Sequence, residues 1–329
     1  MSINIYKTEY KNQECIALEN ERLIVKVLPQ CGSKIQSIYD KSKAKEYLYQ
    51  TPYKDYTKSE YDTLFENGEF SGFDEMFPTI SECFYPSGPW KGIKVPDHGE
   101  VWSLPWDCNI DGTSVSMSVY GVRFPYRVEK KLSFIKENVI RISYKAVNLS
   151  SFDFEFIWAA HPLFNCSENT VIVLPKSINS VINTVASKRL GDFGMIHNWP
   201  ITSTPQGEEY DMSRISPESL KVYEKYYALG KVKEGWSALY DVKTKEVIGL
   251  SYPIEKVPYL GLWVNEGGYG NQYNAALEPC TGALDRVDTA KQWNQVSVIK
   301  AKGEYEWFLN LTFDTAEKIN YIDESGEIK

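Results

Sequence analysis

From Cys15 to Phe313 the chain is written in short runs that alternate apolar and polar residues, and no stretch of different composition divides them. Alternation with a period of two is the pattern of strands that bury one face. The segment "CIALENERLIVKVLPQCGSKIQSIYD" (15–40) reads as three strands with turns at Glu19–Glu21 and Pro29–Gly32. "RVEKKLSFIKENVIRISYKAVNLS" (127–150) reads as a hairpin with Lys136, Glu137 and Asn138 at its tip. "FDFEFIWAAHPLFNC" (152–166) and "VIVLP" (171–175) follow. "YLGLWVN" (259–265) and "QYNAALEP" (272–279) flank a Gly-rich loop, and "EYEWFLNLTF" (304–313) comes last. Only "SPESLKVYEKYYAL" (216–229) looks helical, with Ser216 as N-cap and Glu218 in the first turn. No repeat of solenoid period and no Pro/Gly/Ser linker appears. The expectation is an all-β fold, a large antiparallel β-sandwich with one or two short helices, and one domain over residues 1–329.

Composition narrows the partners. With 36 basic and 44 acidic residues the net charge is −8, opposite in sign to what nucleic acid or an anionic membrane surface attracts. No apolar run approaches the roughly 20 residues of a membrane span. The first residues show no basic segment followed by an apolar one, so no secretory signal is read. Cys15, Cys31, Cys83, Cys108, Cys166 and Cys280 lie far apart without a CxxC pair. That spacing suits buried, reduced thiols in a cytoplasmic protein better than disulfides or zinc. Neither a metal nor a cofactor is expected.

The stretch 152–166 ends on one of only three histidines. Read as one strand, it sends Phe152, Phe154, Phe156 and Trp158 to the core. Asp153, Glu155, Ile157, Ala159 and His161 go to the other face. His161 then stands at the strand's end behind two small residues, before a proline that holds it extended. "QYNAALEPC" repeats the device: Gln272, Asn274, Ala276 and Glu278 share a face, and Glu278 precedes Pro279. His98 lies in "VPDHGEVW", a Pro/Gly-bounded loop with Trp102 close by. A strand-end histidine is commonly a hydrogen-bonded structural residue, and a glutamate before proline is commonly a solvated strand end. Alternation alone does not bring His161 and Glu278 together. His197, in "MIHNWP", reads as structural. Trp263 and Asn265 share a face of "YLGLWVN", where a ring and an amide suit ligand contact as well as a core; Trp102 and Phe77 are further candidates.

Several segments, in order, resemble those of the aldose 1-epimerases, the galactose mutarotases: "LIVKVLPQCGSKIQSIYD", "GFDEMFPTI", "DHGEVW", "YKAVNLS" before "HPLFN" (161–165), and "LEPCTG" (277–282). The resemblance implies a twisted supersandwich of antiparallel sheets and the interconversion of α and β anomers of a sugar. It implies Glu278 as general base toward the anomeric hydroxyl and His161 as general acid toward the ring oxygen. It implies that His98 assists by binding and polarising the ring oxygen or a neighbouring hydroxyl. The sugar would lie against Trp263, Asn265, Trp102 and Phe77, and the protein would be a monomer or homodimer. Both residue types have pKa values that burial can bring near neutrality, and each positioned proton-transfer group supplies on the order of 10²–10⁴ in rate. The galactose-active branch has an arginine soon after its first Phe-Pro segment; here "MFPTISECFYP" has no basic residue. Asp241 and Asp285 are candidates for that branch's acidic residue. The alternatives are a carbohydrate-binding protein without turnover on the same scaffold, and an epimerase of a sugar phosphate. A glycosidase would need a second well-presented carboxylate.

Overall fold

The alternating runs of residues 15–40 become the strands Gln13–Glu19, Leu23–Leu28 and Lys34–Asp40. The computed structural model describes all 329 residues. They fall into two compact units, each made of two separate segments: Met1–Leu163 with Thr281–Phe308, and Phe164–Cys280 with Leu309–Lys329.

In the first unit those three strands continue a sheet that starts at Asn4–Tyr10 and runs on through Phe73–Met76 to Ala159–Pro162, antiparallel throughout. A second sheet holds Asp107–Asp111, Ser114–Tyr120, Tyr126–Lys136 and Val139–Asn148, the last two being the predicted hairpin. The sheets pack on one another through Val25, Val27, Ile35, Ile38, Val115, Val128, Leu132 and Ile142, all essentially inaccessible. One charge crosses that core: Lys130 of the second sheet donates to the Ser33 carbonyl at 2.7 Å and pairs with Glu75 at 2.9 Å. Glu75 also accepts from Tyr144 and the Trp158 indole, so the buried ion is fully partnered.

The second unit repeats the plan. One sheet runs Phe164–Asn165, Tyr273–Cys280, Tyr259–Glu266, Val222–Ala228, Ser180–Asn183, Ile196–Asn198. The other contains Thr170–Val173, Trp236–Asp241, Glu246–Ser251 and the end of the strand Glu304–Thr315 from Leu309 onward. No helix is long and apolar enough to cross a membrane.

Two expectations need correcting. Residues 216–229 are not a helix but one 3₁₀ turn, Glu218–Leu220, followed by the strand Val222–Ala228. Lys221 takes a left-handed conformation (φ 52°) that ends the turn, and the run beyond it, Val-Tyr-Glu-Lys-Tyr-Tyr-Ala, is rich in residues that favour a pleated surface. The one α-helix is Val287–Gln292, which the pattern did not show. Nor is 152–166 one strand. It bends at Ile157 and Trp158 into Phe154–Phe156, paired with Ser297–Ile299, and Ala159–Pro162, paired with Phe73–Met76. The bend is tied by Trp158 N–H to the Thr281 hydroxyl (2.8 Å), Thr281 N–H to the Trp158 carbonyl (2.9 Å) and Ile157 N–H to the Pro78 carbonyl (2.8 Å). Ile157 therefore joins the core and Phe152 is 56% exposed, the reverse of the simple alternation. All six cysteines are unpaired, but Cys108 is exposed and Cys166 half-buried.

Candidate functional site

The first unit gathers the two histidines singled out in the sequence. His161 lies opposite Asp74 in the ladder between Phe73–Met76 and Ala159–Pro162, and is almost inaccessible. Its ring stands edge-on to Phe65 (centroids 5.2 Å apart) and to His98 (5.5 Å). His98 stacks face to face on Phe65 at 4.0 Å. It enters this position through a left-handed pair, His98 at φ 58° and Gly99 at φ 76°. Only glycine fits next to it, because a Cβ at Gly99 would lie 2.1 Å from the Phe77 carbonyl oxygen.

Asp97 sets the tautomer of His98. Burial pushes the Asp97 carboxyl up, but the His98 hydrogen bond and the Phe65 N–H outweigh burial and hold it below the usual carboxylate range. An ionised carboxylate only accepts, so the His98 Nδ1 at 3.0 Å carries the proton and donates it, leaving Nε2 for other work. Trp102 fixes the same loop: its indole N–H donates to the Asp97 carbonyl at 2.9 Å and its ring meets Phe65 edge-on. Asp74 is wholly enclosed, and burial raises its pKa against the opposing pull of Lys34, 3.0 Å away, and of His98.

The second unit holds the carboxylate. Glu278 is fully buried and forms an ion pair with Lys225, itself 5% exposed. The register explains how a side chain two strands away arrives. Tyr227, Gly261 and Glu278 form one cross-strand row, and Lys225, Trp263 and Ala276 the next, all on one face. Gly261 carries no side chain between Lys225 and Glu278, so the lysine can cross the middle strand diagonally. A Cβ there would meet the Tyr227 ring at 3.2 Å and Glu278 Cβ at 3.5 Å. The Lys225 ammonium also sits 5.7 Å from the centre of the Tyr227 ring.

The other predicted residues divide. Trp263 is half-buried on the Lys225 face, its ring 5.4 Å from Tyr223 and 5.7 Å from Tyr269. Asn265 shares that face, but its amide closes the Gly-rich loop, donating to the Tyr269 carbonyl (2.8 Å) and accepting its N–H (3.0 Å). Trp102 is nearly inaccessible and acts on the His98 loop. Phe77 packs in the core on Tyr126 and Phe156 and has no accessible surface. Asp241 accepts the Lys243 and Thr244 N–H groups to close a turn, and the Asp285 carbonyl accepts those of Ile80 and Ser81. His197 is structural, its Nε2 donating to the Leu190 carbonyl at 2.9 Å and its Nδ1 taking the Thr202 hydroxyl at 3.1 Å. Sequence reasoning missed Lys225, hidden in the misread helix; written as a strand, "VYEKYYA" sends Tyr223, Lys225 and Tyr227 to one face.

An all-β chain with these antiparallel sheets has the fold of the galactose mutarotase-like proteins. The solved structures it is similar to include a galactose mutarotase related enzyme from Lactobacillus acidophilus (14% identity, 95% of this chain and 98% of that one, TM-score 0.63). A galactose mutarotase-like protein from Clostridium acetobutylicum matches at 14% identity over 95% of this chain and 99% of its own, with TM-score 0.63. The Slr1438 protein of Synechocystis sp. PCC 6803 matches at 15% identity over 94% and 100%, with TM-score 0.70. At these identities the likeness is one of fold. The chain belongs to the family described as "Domain of unknown function (DUF5107)", whose model matches residues 2–206. No curated protein matches the sequence.

Proposed function

We propose that the protein is a sugar mutarotase, an isomerase that opens and recloses an aldose ring by acid–base catalysis. The observation that carries this reading is Glu278, a wholly buried carboxylate held by Lys225 on a sheet face that also carries Trp263. Lys225 sets a cation against the carboxylate that would accept a proton from an anomeric hydroxyl. The acid role falls to His161, with His98 assisting; the Asp97 bond supports a His98 whose Nε2 is directed to substrate. As Glu278 takes the hydroxyl proton and His161 protonates the ring oxygen, the C1–O5 bond breaks to give the open aldehyde. Rotation about C1–C2 and reversal of both transfers give the other anomer, with no net change in atoms or electrons.

The test is anomeric-proton NMR or polarimetry on freshly dissolved α-D-glucose, α-D-galactose and a panel of other aldoses, including phosphorylated ones. Wild type should accelerate equilibration, and Glu278→Gln and His161→Ala should each lose on the order of 10²–10⁴ of that rate. Sugar binding without acceleration would instead assign a carbohydrate-binding protein, and acceleration confined to phosphorylated sugars a sugar-phosphate epimerase.

A further inference from the structure

The sheet face that carries Glu278 continues well past it. Two residues along each strand advance about 6.8 Å. The row of Lys225, Trp263 and Ala276 is one such step from the Glu278 row, and the row of Tyr223, Asn265 and Asn274 is two. A pyranose seated at Glu278 is narrower than these rows together. Yet the farther rows are built like a binding site. Tyr223, Trp263 and Tyr269 form a corner of three half-buried rings, with centroids 5.4 Å, 5.4 Å and 5.7 Å apart. The two hydrogen bonds of the Asn265 amide fix Tyr269 in that corner, so it is formed in advance.

Two polar atoms on this face have no protein partner: the indole N–H of Trp263 and Oδ1 of Asn274, a residue with no accessible surface. The Asn274 amide nitrogen, by contrast, donates to Gln272 at 3.0 Å. Buried polar atoms left open in a folded protein call for an explanation, and a ligand supplies one. One is a donor and the other an acceptor. A hydroxyl satisfies both kinds, taking the indole hydrogen on its oxygen and giving its own hydrogen to the amide oxygen. An apolar substituent would satisfy neither.

We infer that Tyr223, Trp263, Tyr269 and Asn274 form a second subsite, which holds the neighbouring sugar ring of a reducing disaccharide while its anomeric end is presented to Glu278. This deepens the proposed mutarotase reading and rests on it for the direction in which the sugar lies. The test separates the two. Calorimetric titration of the wild-type protein with glucose, maltose, cellobiose and lactose measures the subsite whether or not there is turnover; polarimetry on the same sugars measures the reaction. At least one disaccharide should bind tenfold or more tighter than glucose. Tyr269→Ala, which keeps the backbone bonds to Asn265, should reduce that disaccharide-to-glucose ratio about tenfold, and Trp263→Phe should do the same through the lost N–H; circular dichroism verifies folding of both. No disaccharide preference in wild type, or equal losses for glucose and disaccharide in Tyr269→Ala, would overturn the subsite. Tight, ring-dependent disaccharide binding without acceleration would keep the subsite and overturn the mutarotase reading.

Discussion

The strands Val222–Ala228, Tyr259–Glu266 and Tyr273–Cys280 bury an ion cluster on each of their two faces, and the two clusters are built differently. On one face Arg189 reaches Glu224 at 2.8 Å and Glu266 at 2.6 Å. The remaining carboxylate oxygens take the Tyr210 hydroxyl (3.0 Å) and the Ser216 N–H (2.5 Å), and Arg189 lies 4.4 Å from the centre of the Tyr210 ring. Burial pushes the Glu224 carboxyl up and Arg189 opposes it. Every carboxylate oxygen in this cluster is engaged by protein. On the other face Lys225 pairs with Glu278, and the neighbouring Trp263 N–H and Asn274 Oδ1 have no protein partner. Glu224 and Lys225 are adjacent in sequence, so period two alone sends them to opposite faces. The two faces are alike in burial and differ in the completeness of their hydrogen bonding.

The largest expected effect breaks the closed face. Arg189→Met removes one cation from between two buried carboxylates and should destabilise the protein by about 3–5 kcal/mol, measured by urea unfolding. If the loss is no larger than that of an exposed arginine such as Arg214, 65% of whose side chain is accessible, the closed face is not structural.

On the open face activity is the distinguishing readout, since removing Lys225 also leaves a buried carboxylate without its cation and should itself cost stability. Lys225→Met should lower kcat about 10²-fold, the low end of what a positioned proton-transfer group supplies, with KM little changed. Lys225→Arg should recover part of it, because the charge returns but not the geometry. In a double-mutant cycle, Lys225→Met added to Glu278→Gln should cost no further activity, since the lysine acts through that carboxylate. Additive losses would show that Lys225 meets the substrate directly.

The smallest effect sharpens the comparison in the first unit. Asp97 is held below the ordinary carboxylate range, so its contribution is present above about pH 4 and is lost as the pH falls through its lower folded value. Thermal unfolding of Asp97→Asn should therefore differ from wild type at neutral pH, by about 1 kcal/mol or less, and converge with it below about pH 4. A gap that persists in acid would mean Asp97 does not act through its charge.

Much of the architecture was legible because a strand's two faces are a local property. The runs at 15–40, 127–150, 259–265 and 272–279 are strands where alternation put them. Alternation groups Glu278 with Asn274 and Ala276, and Trp263 with Asn265; register then puts both groups on one face. Where local rules compete, the reading failed. Residues 216–229 carry enough Lys, Glu and Leu to pass for a helix, and only pairing to Tyr259–Glu266 makes them a strand. The stretch at 152–166 alternates only as far as Phe156, then runs apolar from Ile157 to Ala160 through a bend tied to Thr281, over a hundred residues away.

The sequence by itself determined that the chain is all-β, that its strands are antiparallel and amphipathic, and that His161 and Glu278 each precede a proline; both prolines lie within the strands Ala159–Pro162 and Tyr273–Cys280 rather than beyond their ends. The strand pattern follows from side-chain period. Only the tertiary structure decided that Phe65 packs on both histidines, that Lys225 crosses Gly261 to reach Glu278, and that Asn265 serves a loop. Each of those depends on which strands neighbour one another, and register between distant segments is set by the packing of the whole sheet rather than by any residue's own preference.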